Sequence, residues 1–216
     1  EGRYEIHGGT LTLTSTSLGY LQIGRQGTGT FIQTDGIVTV SRSGDAVMVG
    51  SQGNSTGTYT MSGGELRVPN GHLFVGQSGD AQGTFTQTGG TVTANATGRD
   101  VFIGNGADNV GTYNLGGTGT LISDDLYIGY YGTGNFHQTG GTLNTRTVHL
   151  ARNAGSHGDY TLSSGDIITT GGVSIGIENV GTFAQSGGTV QGGTGTNVGQ
   201  NAAGVGELNL SGNAQV

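Results

Sequence analysis

Carboxylates and imidazoles are the side chains in this chain that could do chemistry. Asp45, Asp100 and Asp125 each stand just before a short apolar segment, Asp124 adjoins Asp125, and Asp80 and Asp108 fall in glycine-rich stretches. Adjacent carboxylates such as Asp124 and Asp125 could hold a hard cation together with backbone oxygens. Acidic residues are equally at home in turns, where they keep a surface soluble, and that is the reading adopted for them. The calcium-binding nonapeptide of the haemolysin type is absent. The five histidines, His7, His72, His137, His149 and His157, show no His-x3-His spacing and are expected to be surface residues. No serine stands in a Gly-x-Ser-x-Gly elbow between a strand and a helix. Cysteine is absent, which removes disulfides, thiolate catalysis and Cys-based zinc sites. All seven cationic residues are Arg and the formal net charge is −7, a poor match to a phosphate backbone, so no nucleic-acid partner is expected. Strings such as "GNGADNVG" lead into no helix and carry no Lys, which makes them turns rather than phosphate loops. The expectation is a non-enzymatic chain with no catalytic residue, metal site or cofactor.

What positions these residues is a repeat. "GTFTQTGGTV" at Gly83 returns as "GNFHQTGGTL" at Gly134 and "GTFAQSGGTV" at Gly181. Copies begin near residues 2, 29, 57, 83, 111, 134, 158, 181 and 206, at spacings of 23–28, and fill 1–216 as a single domain. Each copy carries a second phrase, such as "LQIG" at Leu21, "LFVG" at Leu73 and "LYIG" at Leu126. Period-two alternation ended by glycine is the pattern of a short strand. Three short strands in about 25 residues make one turn of a parallel β-solenoid. The predicted fold is therefore all-β: a right-handed parallel β-solenoid of about eight to nine coils. No apolar run is long enough to span a bilayer, so no membrane insertion by this segment is expected.

Superposing the copies predicts an internal file of rings: Tyr4, Phe31, Tyr59, Phe85, Tyr113, Phe136, Tyr160 and Phe183, then Leu208. Two residues on, Gln33, Gln87, Gln138 and Gln185 follow each Phe, while an aliphatic follows each Tyr, so the true unit is a pair of coils. Residues i and i+2 of a strand share a face, so these glutamines point inward with the rings and need partners. Two readings stand: each amide meets a Tyr hydroxyl of an adjacent coil or a corner backbone group, or the alternation is only the trace of a duplicated pair. On the third strand, the residue between the two inward aliphatics faces out. Met48, Phe74, Phe102 and Tyr127 then form consecutive rungs of an exposed apolar stripe, with Tyr130 and Tyr131 close by. Such a stripe is expected either to contact another molecule or to lie beneath the chain's own loops.

The phrases "GTFTQTGGTV" and "LFVG" resemble the β-solenoid repeats of autotransporter-like and sorting-signal-bearing bacterial surface proteins, over the full length of the chain. The resemblance implies an exported rod at the cell surface or outside the cell, and it brings no catalytic motif. The expected function is a structural rod, adhesin stalk or filament subunit, with copies of itself as partners, end to end or side by side. The strands "NL" at Asn209 and "QV" at Gln215 could be completed by a next subunit. The alternative is a β-helix that binds or acts on glycans, with a surface glycan as partner.

Overall fold

The computed structural model describes residues 1–15 and 18–215. These residues form a β-solenoid of about eight turns, with no helix among them and every strand paired in parallel to its counterparts one coil away. Val216, a candidate for completion by a neighbouring subunit, lies outside the described residues; Gln215 bridges Thr189 of the preceding coil.

Each coil has three faces. In the third coil they are Thr56–Met61, Glu65–Arg67 and Gly71–Val75. The expectation of three separate strands holds there and fails further on. Thr133–Leu150 and His157–Ile175 each run as one continuous strand around a whole coil, their corners made by register shifts such as those at Gln138/Thr139 and Thr145/Thr147. Parallel pairing carries on through a bend when a bulge takes up the extra residue, so a corner need not end a strand.

Register is copied from coil to coil. Tyr4, Phe31, Tyr59, Phe85, Tyr113, Phe136, Tyr160 and Phe183 are successive ladder partners on the first face, ending on Leu208. Their rings pile at centroid separations of 4.4 to 5.1 Å. Ring pairs at such spacing contribute about 0.5–1.5 kcal/mol each beyond the area they bury. Tyr4, in the first coil with a neighbour on one side only, remains 48% exposed. Leu66, Val92, Leu121 and Leu143 stack on the second face, and Val47, Leu73, Val101 and Leu126 on the third, all fully buried. A narrow core of this kind works because each side chain is covered by its own repeat one strand spacing, about 4.8 Å, above and below.

The glutamines are buried and clamp coils in pairs. Tyr59 Oη donates to Gln33 Oε1 at 2.6 Å, Tyr113 Oη to Gln87 Oε1 at 2.6 Å, and Tyr160 Oη to Gln138 Oε1. Each amide nitrogen donates to two corner carbonyls, one in its own coil and one in the next: Gln87 Nε2 reaches Gly90 O at 2.9 Å and Thr120 O at 3.0 Å. One side chain thus closes two turns and receives the ring hydroxyl above it. Gln185 repeats the amide half, to Gly188 O and Gln215 O, but Leu208 occupies the tyrosine position and leaves Gln185 Oε1 buried without a partner. On the second face an inner file turns polar midway: Ala94 gives way to Ser123, Thr145 and Thr169. Ser123 Oγ donates to Thr145 Oγ1 at 2.9 Å, and Thr169 Oγ1 to Arg146 O at 2.6 Å.

Two glycines, one ending a third strand and one opening the first strand of the next coil, let neighbouring coils touch. Gly104 has φ of 70°, and a Cβ there would lie 2.2 Å from Thr133 O; a Cβ on Gly111 would lie 2.1 Å from Val75 O. Both positions exclude a side chain, the first also by its left-handed conformation.

Candidate functional site

The outward file of the third face is where side chains able to do chemistry converge. Gln22, Met48, Phe74, Phe102, Tyr127, His149 and Ser174 are successive ladder partners, as the alternation requires. Phe74, Phe102, Tyr127 and His149 stack nearly parallel, at 5.1, 4.9 and 4.8 Å.

Of the two expectations for the stripe, contact with another molecule or cover by the chain's own segments, cover is what the structure shows at Met48 and Phe74. Met48 is 2% exposed and Phe74 5%. Gln22 Nε2 approaches Met48 Sδ at 3.5 Å, and Ser51 Oγ lies 3.8 Å from the same sulfur. His72 leans over Phe74 and Phe102, with centroids 5.8 and 5.4 Å away. Tyr130, from the following corner, sets its ring edge-on against Phe102 and Tyr127. Phe102, Tyr127 and Tyr130 are half-buried, and Tyr131 alone of the six stands well exposed, at 49%. Corner side chains are long enough to fold back over the rungs beside them, which a count of inward and outward positions does not register. The ring faces are also used up on one another, so the stack offers edges rather than platforms to anything outside.

Beside the rings lies an ionisable cluster that the sequence presented as turn decoration. Asp80 and Asp108 are exposed as expected, but Asp125 is 4% exposed and Asp100 half-buried. Arg146, one coil on, donates to Asp124 Oδ1 at 3.0 Å and to Asp125 Oδ2. The Asp125 backbone N–H donates to Asp100 Oδ1 at 3.2 Å, and Asp125 Oδ1 is buried without a partner. Burial pushes Asp100 up to about 6, with Asp125 and Asp124 adding like charge nearby. Asp125 is raised by burial as well, against the opposing pull of Arg146. His72 Nδ1 accepts the Asp100 backbone N–H at 3.0 Å, and burial lowers its proton affinity. His149 is pushed down to about 4 by burial, then by Arg152 and Arg146.

Asp125, His149 and Ser174 stand in three successive coils and supply the residue types of a nucleophilic triad. The geometry does not join them. His149 Nε2 is 3.9 Å from Asp125 Oδ2, beyond hydrogen-bond range, and that carboxylate oxygen is already held by Arg146. An imidazole held near 4 is a weak base toward a serine hydroxyl. Nor do three of the His, Asp and Glu side chains converge as a metal would require, among the described residues.

A different grouping appears nearer the first coil. A half-open cavity of about 450 Å³ lies along the same face, where Arg25 and Arg42 meet the amides of Gln22, Gln52, Gln77 and Asn105. Arg25, Gln77 and Asn105 each follow the glycine that ends a third strand and so form one column, whereas Arg42 and Gln52 come from other offsets; four stacked coils bring them together. Against known proteins, the chain matches no family model, no curated protein and no solved structure.

Proposed function

We propose that the chain is a structural rod of the cell surface or extracellular space, serving as a stalk or filament subunit rather than as an enzyme. The observation that supports this is the unbroken internal ladder. Tyr4 to Phe183 stack through eight successive coils, and three buried glutamines tie coils in pairs through a ring hydroxyl and two corner carbonyls. Such a column resists bending and twisting, because any tilt of one coil breaks hydrogen bonds to the next. A rod of this kind grows by adding coils, within one chain or by end-to-end stacking of copies. The chemistry of the sequence fits an exported setting: it has no cysteine and carries excess negative charge.

Single-molecule stretching of the purified chain tests this reading. A load-bearing rod unravels in discrete steps, each releasing a clamped pair of about 50 residues, or roughly 170 Å of extended chain at ~3.4 Å per residue. A featureless extension, with no resistance above that of an unfolded chain, overturns the proposal.

A further inference from the structure

The cavity on the third face carries an inference that goes beyond the rod and does not rest on it: we infer that it binds a carboxylate-bearing sugar unit of an acidic polysaccharide. Its cations are free for a ligand. Arg3, Arg67 and Arg146 are each engaged by carboxylates, whereas Arg25 and Arg42 have no carboxylate partner among the described residues. Arg42 is held in place before any ligand arrives: Nη1 donates to Asp45 O at 3.0 Å, and the guanidinium lies over the Tyr20 ring at 5.2 Å. Its Nε is buried with no acceptor. Arg25 has only a long contact, Nε to Gln52 Oε1 at 3.5 Å. Two guanidiniums opening on one cavity, in a chain of net charge −7, form a receptor for an anionic group.

The rest of the wall selects the kind of anion. Gln22 Nε2 donates to Ser51 Oγ at 3.1 Å, Ser51 Oγ to Gln77 Oε1 at 3.0 Å, and Gln77 Nε2 to Asp45 Oδ2 at 2.7 Å. Asn105 Nδ2 donates to Gln77 O at 3.2 Å. This relay fixes the amides and leaves Gln22 Oε1, Asn105 Oδ1 and the Gln52 amide nitrogen unbonded to protein among the described residues, as single acceptors and donors along the groove. That alternation suits hydroxyl groups, each of which donates and accepts. Asp45 sharpens the choice, since a carboxylate accepts from a sugar hydroxyl and repels a multiply charged phosphate. Met48 and Phe74 lie beneath this relay, 2% and 5% exposed, so the wall that meets a ligand is polar and suits the hydroxyl-bearing edge of a sugar. The groove runs across four coils, parallel to the rod, so a polymer can lie along it.

Titration calorimetry on the whole chain decides the matter, with methyl glycosides of glucuronate, galacturonate and N-acetylneuraminate as probes. Methyl glucoside, methyl galactoside and inorganic phosphate are the comparison ligands. At least one acidic glycoside is expected to bind about tenfold or more tightly than its neutral counterpart. Arg25→Gln and Arg42→Gln are each expected to weaken it about tenfold. Arg67→Gln, on the second face, leaves binding unchanged. Arg25 is exposed, so its variant keeps the test intact should Arg42→Gln fail to fold. Absence of binding by all three acidic glycosides overturns the inference, as does binding that survives Arg25→Gln. Phosphate binding as tightly as the sugars reduces the cavity to a general anion site and overturns the sugar assignment.

Discussion

The Tyr–Gln pair is the smallest unit that explains this molecule. A buried amide carbonyl with a ring hydroxyl on it is stable; without one, it is left desolvated at about 1–3 kcal/mol. Tyr113→Phe strands Gln87 Oε1 and is expected to lower stability by about that amount in thermal or urea unfolding. Leu208→Tyr supplies the hydroxyl that Gln185 lacks and is expected to raise stability by about 1 kcal/mol, although both changes concern one oxygen atom. The ionisable cluster makes a second residue-scale prediction. Asp100 is pushed up to about 6 on folding, so its contribution is present at low pH and fades as pH rises toward 6. His149 is pushed down to about 4, so its contribution is present above 6.5 and fades as pH falls toward 4. Between pH 4 and 6 the two oppose. Asp100→Asn removes one side of the balance, and the melting temperature of that variant is expected to fall more steeply than the wild type's on acidification from 6.5 to 4. Equal slopes for the two proteins refute the assignment.

At the scale of the element, the corner is the constraint. Seven copies end the third strand in glycine with positive φ, and the copy ending at residue 151 has alanine instead, with φ of 52°. Ala151 has the backbone that glycine favours and a Cβ where other coils have bare backbone contact. Ala151→Gly is therefore expected to stabilise the chain by about 1 kcal/mol despite the added freedom of the unfolded state. Gly104→Ala, by contrast, places a Cβ 2.2 Å from Thr133 O and is expected to unfold that corner. Thermal melts of the two variants shift in opposite directions if the corner geometry is right.

The whole molecule is a stack of clamped pairs, which makes its tolerance to deletion depend on parity. Removing residues 83–133 takes out two coils and seats Phe136 and Gln138 on Tyr59 and Met61, the same kinds of neighbour they had before. Removing residues 83–110 takes out one coil and seats Tyr113 on Tyr59, with Met61 where its hydroxyl had Gln87, so that the hydroxyl is buried with no acceptor. The longer deletion is expected to melt higher than the shorter one by the worth of that lost pair, about 1–3 kcal/mol. A ranking by the number of remaining coils alone would reverse the order and count against pairing.

The bond between Tyr and Gln came from the structure, while the amino-acid sequence by itself determined the repeat, the inward files and the alternation of Phe–Gln coils with Tyr–aliphatic coils. These depend on spacing along the chain, and strand geometry turns a spacing of two into a shared face wherever the strand lies. Tertiary structure decided what happens at the corners. There Ser51 folds back toward Met48, Tyr130 covers Phe102, and Arg146 reaches Asp125 from the next coil. Those contacts run through side chains whose direction depends on the φ of one corner residue and the rotamers around it, which spacing along the chain does not set. The sequence kept Met48 and Phe74 in the right file and left open whether the file was covered. Spacing sets Arg25, Gln77 and Asn105 in one column after the strand-ending glycines, but that column meets Arg42 across a cavity only once four coils are stacked.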